Sequence, residues 1–240
     1  MTEMIHSLSD MELLISRAGF MPFFDNEVPG FCIAAHTPPE LWFSDEQDGP
    51  WEWKGPAIID GGFAYGKFLK GKAMFVTMEW FPHFLNLRRS LCHPTADELR
   101  VLATVKGHHS LLTTELRTML GYVKPRAPRE ANPLLRESDK ITHAIIRPQI
   151  SKRREGLETC LTHLQMSTLL VTADFEYKHD SRGQRYGWGV ARYCTPEDFF
   201  GPALKPAGCT PNESFLVLHG HLRRLLPGAT EGQIRKILLP

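Results

Sequence analysis

The chain has no run approaching the ~18 consecutive apolar residues of a membrane-spanning helix. Its start, MTEMIHSLSDMELL, has no basic stretch leading into an apolar one. Neither a membrane partner nor a secretory leader is expected, and a cytoplasmic protein is. Cysteine is scarce. Cys32, Cys92, Cys160, Cys194 and Cys209 are odd in number, scattered and never arranged as C-x-x-C. That argues against a disulfide framework or a zinc knuckle and for a reducing compartment. No P-loop, G-x-G-x-x-G, H-E-x-x-H or G-x-S-x-G is present. Kinase, ATPase and dinucleotide-oxidoreductase chemistry therefore fit poorly, and neither metal nor cofactor is expected.

What is present is ordinary globular composition over 240 residues, enough for one large domain or two small ones. The net charge of +1 conceals a division. Residues 1–60 hold eleven acids and two bases, a net of −9, so the remaining residues carry +10. Residues 124–154 alone carry nine bases and three acids. Such a split calls for an anionic partner or for two lobes that attract each other.

Helix starts are marked by capping boxes, in which a hydroxyl and the side chain three residues on satisfy orphan backbone N–H groups. Ser9 with Glu12, Thr95 with Glu98, Thr210 with Glu213 and Thr230 with Gln233 have that spacing. The first helix is expected to end at Ala18, before Gly19. FAYGKFLKGKAMFVT reads as a β-hairpin turning at LKGK, followed by a short helix from MEWFP. Leu99, Leu102 and Ala103 predict an amphipathic helix over 95–106. Leu116, Met119 and Leu120 predict a second helix capped by Thr113 and ended by Gly121. After a proline-broken basic linker, Lys124 to Lys152, a third helix buries Leu157, Cys160, Leu161, Leu164 and Thr168. VTADFEYKHD then alternates as a strand, turns at DSRGQ and returns as RYGWGVARY. Two helices close the chain. No internal repeat is visible.

Three helices followed by a two-stranded hairpin is the order of a winged helix-turn-helix. The expected fold is α+β: a winged-helix module at 95–193, an N-terminal acidic, aromatic lobe with a β-hairpin at 1–94, and a C-terminal helical pair at 194–240. Residues 152–170 would be the recognition helix and 171–193 the wing. Lys152, Arg153 and Arg154 stand ahead of that helix, and Lys178, Arg182 and Arg185 at the wing tip, the places where phosphates would be met. DNA is thus the expected partner. A protein-docking module, with a protein partner, is the alternative use of the same fold.

The run LWFSDEQDGPWEWKGP holds Trp42, Trp51 and Trp53. In an extended segment Trp51 and Trp53 point one way and Glu52 the other. They would form either an aromatic floor with a carboxylate above it, suited to an extruded base, or the cover of a core, with Asp45, Glu46 and Asp48 solvated. Other constellations are weaker. His219 and His221 diverge on a helix, His108 and His109 sit at a turn, Cys92 and His93 are adjacent, and Glu79 precedes a helix.

The segments ELWFSDEQDGPWEWKGP, AYGKF, EWFPHFLNLRR and LTHLQMSTLLVTADFEYKHDSRGQRYGWGVARY together resemble the AlkZ-related bacterial proteins. That group is similar, more distantly, to winged-helix DNA glycosylases that excise alkylated or crosslinked bases. The resemblance implies a DNA-repair setting. Those glycosylases carry a Gln-apolar-Gln catalytic motif, and the nearest run here is Gln165-Met166-Ser167. The expectation is a protein that binds DNA mainly through phosphates without catalysis. Base excision at Trp42, Trp51, Glu52 and Trp53 is the enzymatic alternative.

Overall fold

The structure, a computed structural model, describes residues 4–44, 47–122, 154–183 and 185–240; of His179, Arg185, Tyr186 and Trp188 only the backbone is described. Helix α1 (Leu8–Ala18) is capped by Ser7, whose hydroxyl accepts from the Asp10 N–H, while Asp10 accepts from the His6 N–H. The cap thus stands two residues ahead of the expected Ser9–Glu12 box, because Asp10 closes the same reciprocal geometry earlier. Gly19, at φ +75°, ends the helix, and a Cβ there would lie 2.5 Å from the Trp80 ring.

Next come β1 (Phe20–Pro22), α2 (Ile33–His36), α3 (Pro50–Ile59), β2 (Ala64–Leu69) and β3 (Lys72–Val76). The strands form an antiparallel sheet in the order β1–β3–β2, with Phe20 opposite Val76 and Tyr65 opposite Phe75. After α4 (Phe81–Ser90) the chain runs α5 (Ala96–Gly107), β4 (Ser110–Leu112), α6 (Thr113–Met119), α7 (Leu157–Met166), β5 (Val171–His179) and β6 (Arg185–Cys194). Its sheet has the order β4–β6–β5.

Among the described residues, helix, strand, helix, helix, strand, strand therefore occurs twice, each time with the first strand paired to the third. The expectation of no repeat was wrong at this level. The duplication lies in element order and pairing, and the strands that reveal it, β1 and β4, are three residues long.

The expected helices at 95–106 and 113–120 are present, with local differences, and the third, expected over 152–170, spans Leu157–Met166, so that 167–170 lie beyond its end. In α5 the buried stripe is Glu98, Val101, Leu102 and Val105, and Leu99 is 52% exposed. That set follows the helical period more closely than 99/102/103. In α6 it is Glu115, accepting from the Leu112 N–H, that caps the helix, and Thr113 bonds the Ala191 carbonyl instead. Strand β2 is buried on both faces, lying between its own sheet and α7, so its alternation does not mark a solvent side.

Helices α8 (Pro196–Phe200), α9 (Pro211–Leu225) and α10 (Glu231–Leu238) return to the first unit, where α9 packs on α4. The larger core joins the first unit to Leu218, Leu222, Ile234 and Ile237, and takes in Val171, Ala173 and Cys194 of the second sheet. The smaller core lies within the second unit, around Val101, Leu116, Cys160 and Leu164. All five cysteines are free. No helix of the described residues is long and apolar enough to cross a membrane.

Arg88 of α4 ties these parts together. It is fully buried, lies over the Phe84 ring and donates to carbonyl oxygens: Ile237 at 2.9 Å, Leu238, Met166 at 2.8 Å and Phe68 at 3.0 Å. Ile237 and Leu238 end α10 and Met166 ends α7, so one guanidinium satisfies carbonyls that helix C-termini leave without a partner. Burial pulls its pKa down to about 9, which still leaves it charged at neutral pH.

Replacing Arg88 by Met would leave four buried acceptors without donors. Arg88→Met is expected to lose at least ~3 kcal/mol of stability, and Arg88→Lys to recover only part, because an ammonium cannot reach carbonyls spread across a planar fork. Urea midpoints at constant slope read this. An unchanged midpoint in Arg88→Met would contradict it.

Candidate functional site: an aromatic cleft between the two units

Helix α3 decides where the tryptophans go. Pro50 occupies the first helical position, where its missing N–H costs nothing. At the third position the Glu52 carboxylate accepts from the Gly49 N–H at 3.0 Å. Pro56 stands on the exposed side and forfeits one ladder bond. Gly49 is required, since a Cβ there would meet the Leu41 carbonyl oxygen at 1.8 Å. The segment expected to be extended is therefore helical, and residues two apart diverge by ~200°. Trp53 turns into the core, whereas Trp51 and Lys54, three apart, share a side. Trp53 thus leaves the predicted group.

Trp51 packs edge-to-face on Trp42 with ring centroids 5.9 Å apart, and Phe24 lies 5.6 Å from it. Opposite stands the β5–β6 hairpin of the second unit. Tyr177 of β5 donates its hydroxyl to the Trp51 carbonyl at 3.2 Å. Gly189 of β6 makes room for that ring, since a Cβ would fall 2.9 Å from it. Between the two sides lies a cleft of about 310 Å³, lined by Trp42, Trp51, Glu52, Lys54, Tyr177 and Gly187 among others, with the exposed Phe43 on its wall. That volume is at the lower end of the range for small-ligand pockets. The structure thus brings Trp42, Trp51 and Glu52 to one cleft and adds Phe43 and Lys54 from the same run and Tyr177 from β5, an element that the local sequence pattern did not connect.

Lys54 is the unusual member. It is 6% exposed, and its ammonium lies 4.5 Å from the centre of the Trp51 ring and 4.0 Å from that of Phe175. Among the described residues it forms no hydrogen bond or ion pair. Burial pushes its pKa down to about 8, with the Glu52 carboxylate opposing the shift.

The expected phosphate contacts are distributed unevenly. Lys152 and Arg153, with the 124–152 linker, lie outside the described residues, as do Asp45 and Glu46. The Arg154 guanidinium stacks 3.5 Å from the Tyr122 ring centre and donates to the Leu120 carbonyl at 2.7 Å, so it closes the end of α6. Lys178 and Arg182 are exposed at the hairpin tip, and neither side chain is paired with a described residue. Arg185 stands opposite His179 in the same hairpin. The C-terminal half of α7 is covered by β2. Gln165 is 1% exposed and its carbonyl oxygen accepts from the Lys67 N–H at 3.0 Å, while the Lys67 ammonium reaches Thr162 at 3.3 Å. Gln165, of the Gln165-Met166-Ser167 run, therefore faces no cleft.

Glu98, Glu155 and His163 have ligand atoms within 4.8 Å of one another, a donor set that could hold a divalent cation. The hydrogen bond from His163 to Glu98 at 2.8 Å accounts for the cluster equally well. Its members sit 57 and 8 residues apart in sequence, with no motif spacing to signal them. His219 pairs with Glu231 and His221 stacks on Trp80, each with its own partner.

A family model described as AlkZ related matches residues 5–239, nearly the whole chain. No curated protein and no solved structure matches it.

The buried ammonium has a measurable pH signature. Lys54 has an ordinary pKa of 10.5 when unfolded and about 8 when folded. Below pH 8 both states are protonated and folding bears the whole cost of the buried charge. Between these values the unfolded chain binds the extra proton, so stability rises with pH, by roughly 3 kcal/mol in all. Lys54→Met should be the more stable protein at pH 7 and should lack that rise in urea melts between pH 8 and 10. The same rise in both proteins would contradict the assignment.

Proposed function

The chain belongs to the AlkZ-related family, and from that premise we propose that it is a DNA-associated protein serving repair, built from two winged-helix units. It holds DNA through phosphate contacts from the β5–β6 hairpin and takes an unstacked base into the cleft beside it. The repeated element order supports the winged-helix reading, since each unit ends in a hairpin whose second strand pairs with a short strand ahead of the second helix. On this reading the boundaries 1–94, 95–193 and 194–240 separate the first unit, the second unit and the helices that close over the first.

One observation carries the proposal: the hairpin that presents Lys178 and Arg182 at its tip forms, through Tyr177, Gly187 and Gly189, one wall of the aromatic cleft. A strand backbone followed by the tip would bring its nucleotides past Trp42 and Trp51. Stacking on such rings is worth ~1–3 kcal/mol per base and tolerates any sequence. Arg185, Lys152 and Arg153 join the phosphate set in this reading. Arg154 instead holds α6. The covering of α7 by β2 favours backbone contact over major-groove reading.

A second reading, base excision, is favoured by the convergence of Trp42, Trp51 and Glu52 on one cleft. It predicts release of free base from alkylated duplex, lost in Glu52→Gln, which retains the helix cap. Absence of release from any substrate removes it.

For the first reading, affinity for duplex DNA is expected to fall linearly with salt on logarithmic axes. Lys178→Ala combined with Arg182→Ala should shallow that slope by about two, since each phosphate contact contributes ~0.9. Binding insensitive to salt, or a slope unchanged in the double variant, would contradict it. Capture of a defined protein partner without DNA retention would favour the docking alternative.

A further inference from the structure

A lysine enclosed as Lys54 is needs a reason. It is 6% exposed, held between the faces of Trp51 and Phe175, and borders the cleft with no hydrogen bond or ion pair among the described residues. The two rings return ~0.5–2 kcal/mol through cation–π attraction, less than taking an unpaired ammonium out of water costs. A methionine would fill the same space without that cost. What only lysine supplies here is a primary amine on an aromatic cleft, its charged form disfavoured by burial, the setting in which such amines act as nucleophiles toward carbonyl carbon.

We propose that Lys54 is a nucleophile that condenses with an aldehyde entering the cleft, and that this aldehyde is the ring-opened C1′ of an abasic deoxyribose. The identity of the aldehyde rests on the DNA reading above. A nucleotide that has lost its base exposes an aldehyde where the sugar joined the base, at the depth to which an extruded nucleotide would enter.

The step balances without any oxidant or reductant. The Nζ lone pair attacks C1′ and a C–N bond forms. The carbonyl oxygen then leaves as water, taking the two amine protons, and a C=N bond links Lys54 to the sugar. Burial also supplies the reactive form: with a pKa of about 8, roughly a tenth of the amine is unprotonated at pH 7, several hundred times the fraction of a solvated lysine.

The test incubates the full chain with duplex DNA carrying one abasic site, then adds sodium borohydride, which reduces the imine to a stable secondary amine. A covalent protein–DNA band is expected, mapping to Lys54 by peptide mass spectrometry. The band should fall at least tenfold in Lys54→Met and in Lys54→Arg, each checked for folding by its thermal melt, and should persist in Lys106→Met, a change at an exposed position. No adduct, or an adduct on another amine that survives Lys54→Met, overturns the proposal. Propanal with borohydride forms the parallel arm: labelling of Lys54 by propanal but not by abasic duplex overturns the abasic substrate. Intact duplex is titrated alongside. Salt-sensitive binding without adduct sinks the imine alone, whereas no binding sinks the DNA reading itself.

Discussion

Four carbonyl oxygens converge on Arg88, from the end of β2, the end of α7 and the last two residues of α10. They come from three parts of the fold: β2 from the first unit, α7 from the second, and α10, which supplies two, from the chain's close. No carboxylate takes part in these bonds. The charge is stabilised by oriented peptide dipoles and by the Phe84 ring, 4.5 Å from the guanidinium, two of the three carbonyl sources being helix C-termini where negative potential concentrates. Holding β2 against α7 sets how the two units meet. That meeting in turn places α3 across from the β5–β6 hairpin and opens the cleft. An Arg in α4 thus fixes the geometry of a site to which it contributes no atom.

Parts of this were legible from sequence because they depend on neighbours a few residues away. The caps at Thr95, Thr210 and Thr230, the stop at Gly19 and the turn at Lys70-Gly71 all appear where local spacing put them. What was misread depended on distant partners or on prolines. Pro50 and Pro56 made α3 look extended, although both positions tolerate helix, and this sent Trp53 to the wrong side. Arg154 looked like a phosphate ligand until Tyr122 and the end of α6 were brought beside it. The two units share an arrangement without a visible sequence repeat, because pairing in three-residue strands needs only extended backbone. Lys54 carried no signal, since its burial is imposed by Phe175, 121 residues away.

Charge is arranged on the same terms. Among the described residues, an ion pair from the acidic first sixty runs to α10, from Glu27 to Lys236 at 2.6 Å. Elsewhere three described arginines are tied down: Arg89 to Glu197, Arg117 to Glu158, and Arg192 to Glu176. Surface pairs of this kind add little stability, but they remove cations from competition for an anionic partner. The hairpin tip is left as a place where Lys178 and Arg182 meet solvent together.

The central claim is that the cleft and the hairpin act on one nucleotide strand. Intrinsic tryptophan fluorescence tests it most directly, with duplex carrying a single unpaired base compared with the fully paired duplex of the same length. Stacking on Trp42 and Trp51 predicts strong quenching by the first and weak quenching by the second, with the difference lost in Trp51→Phe. Equal quenching by both duplexes, or a difference that persists in Trp51→Phe, would contradict the account.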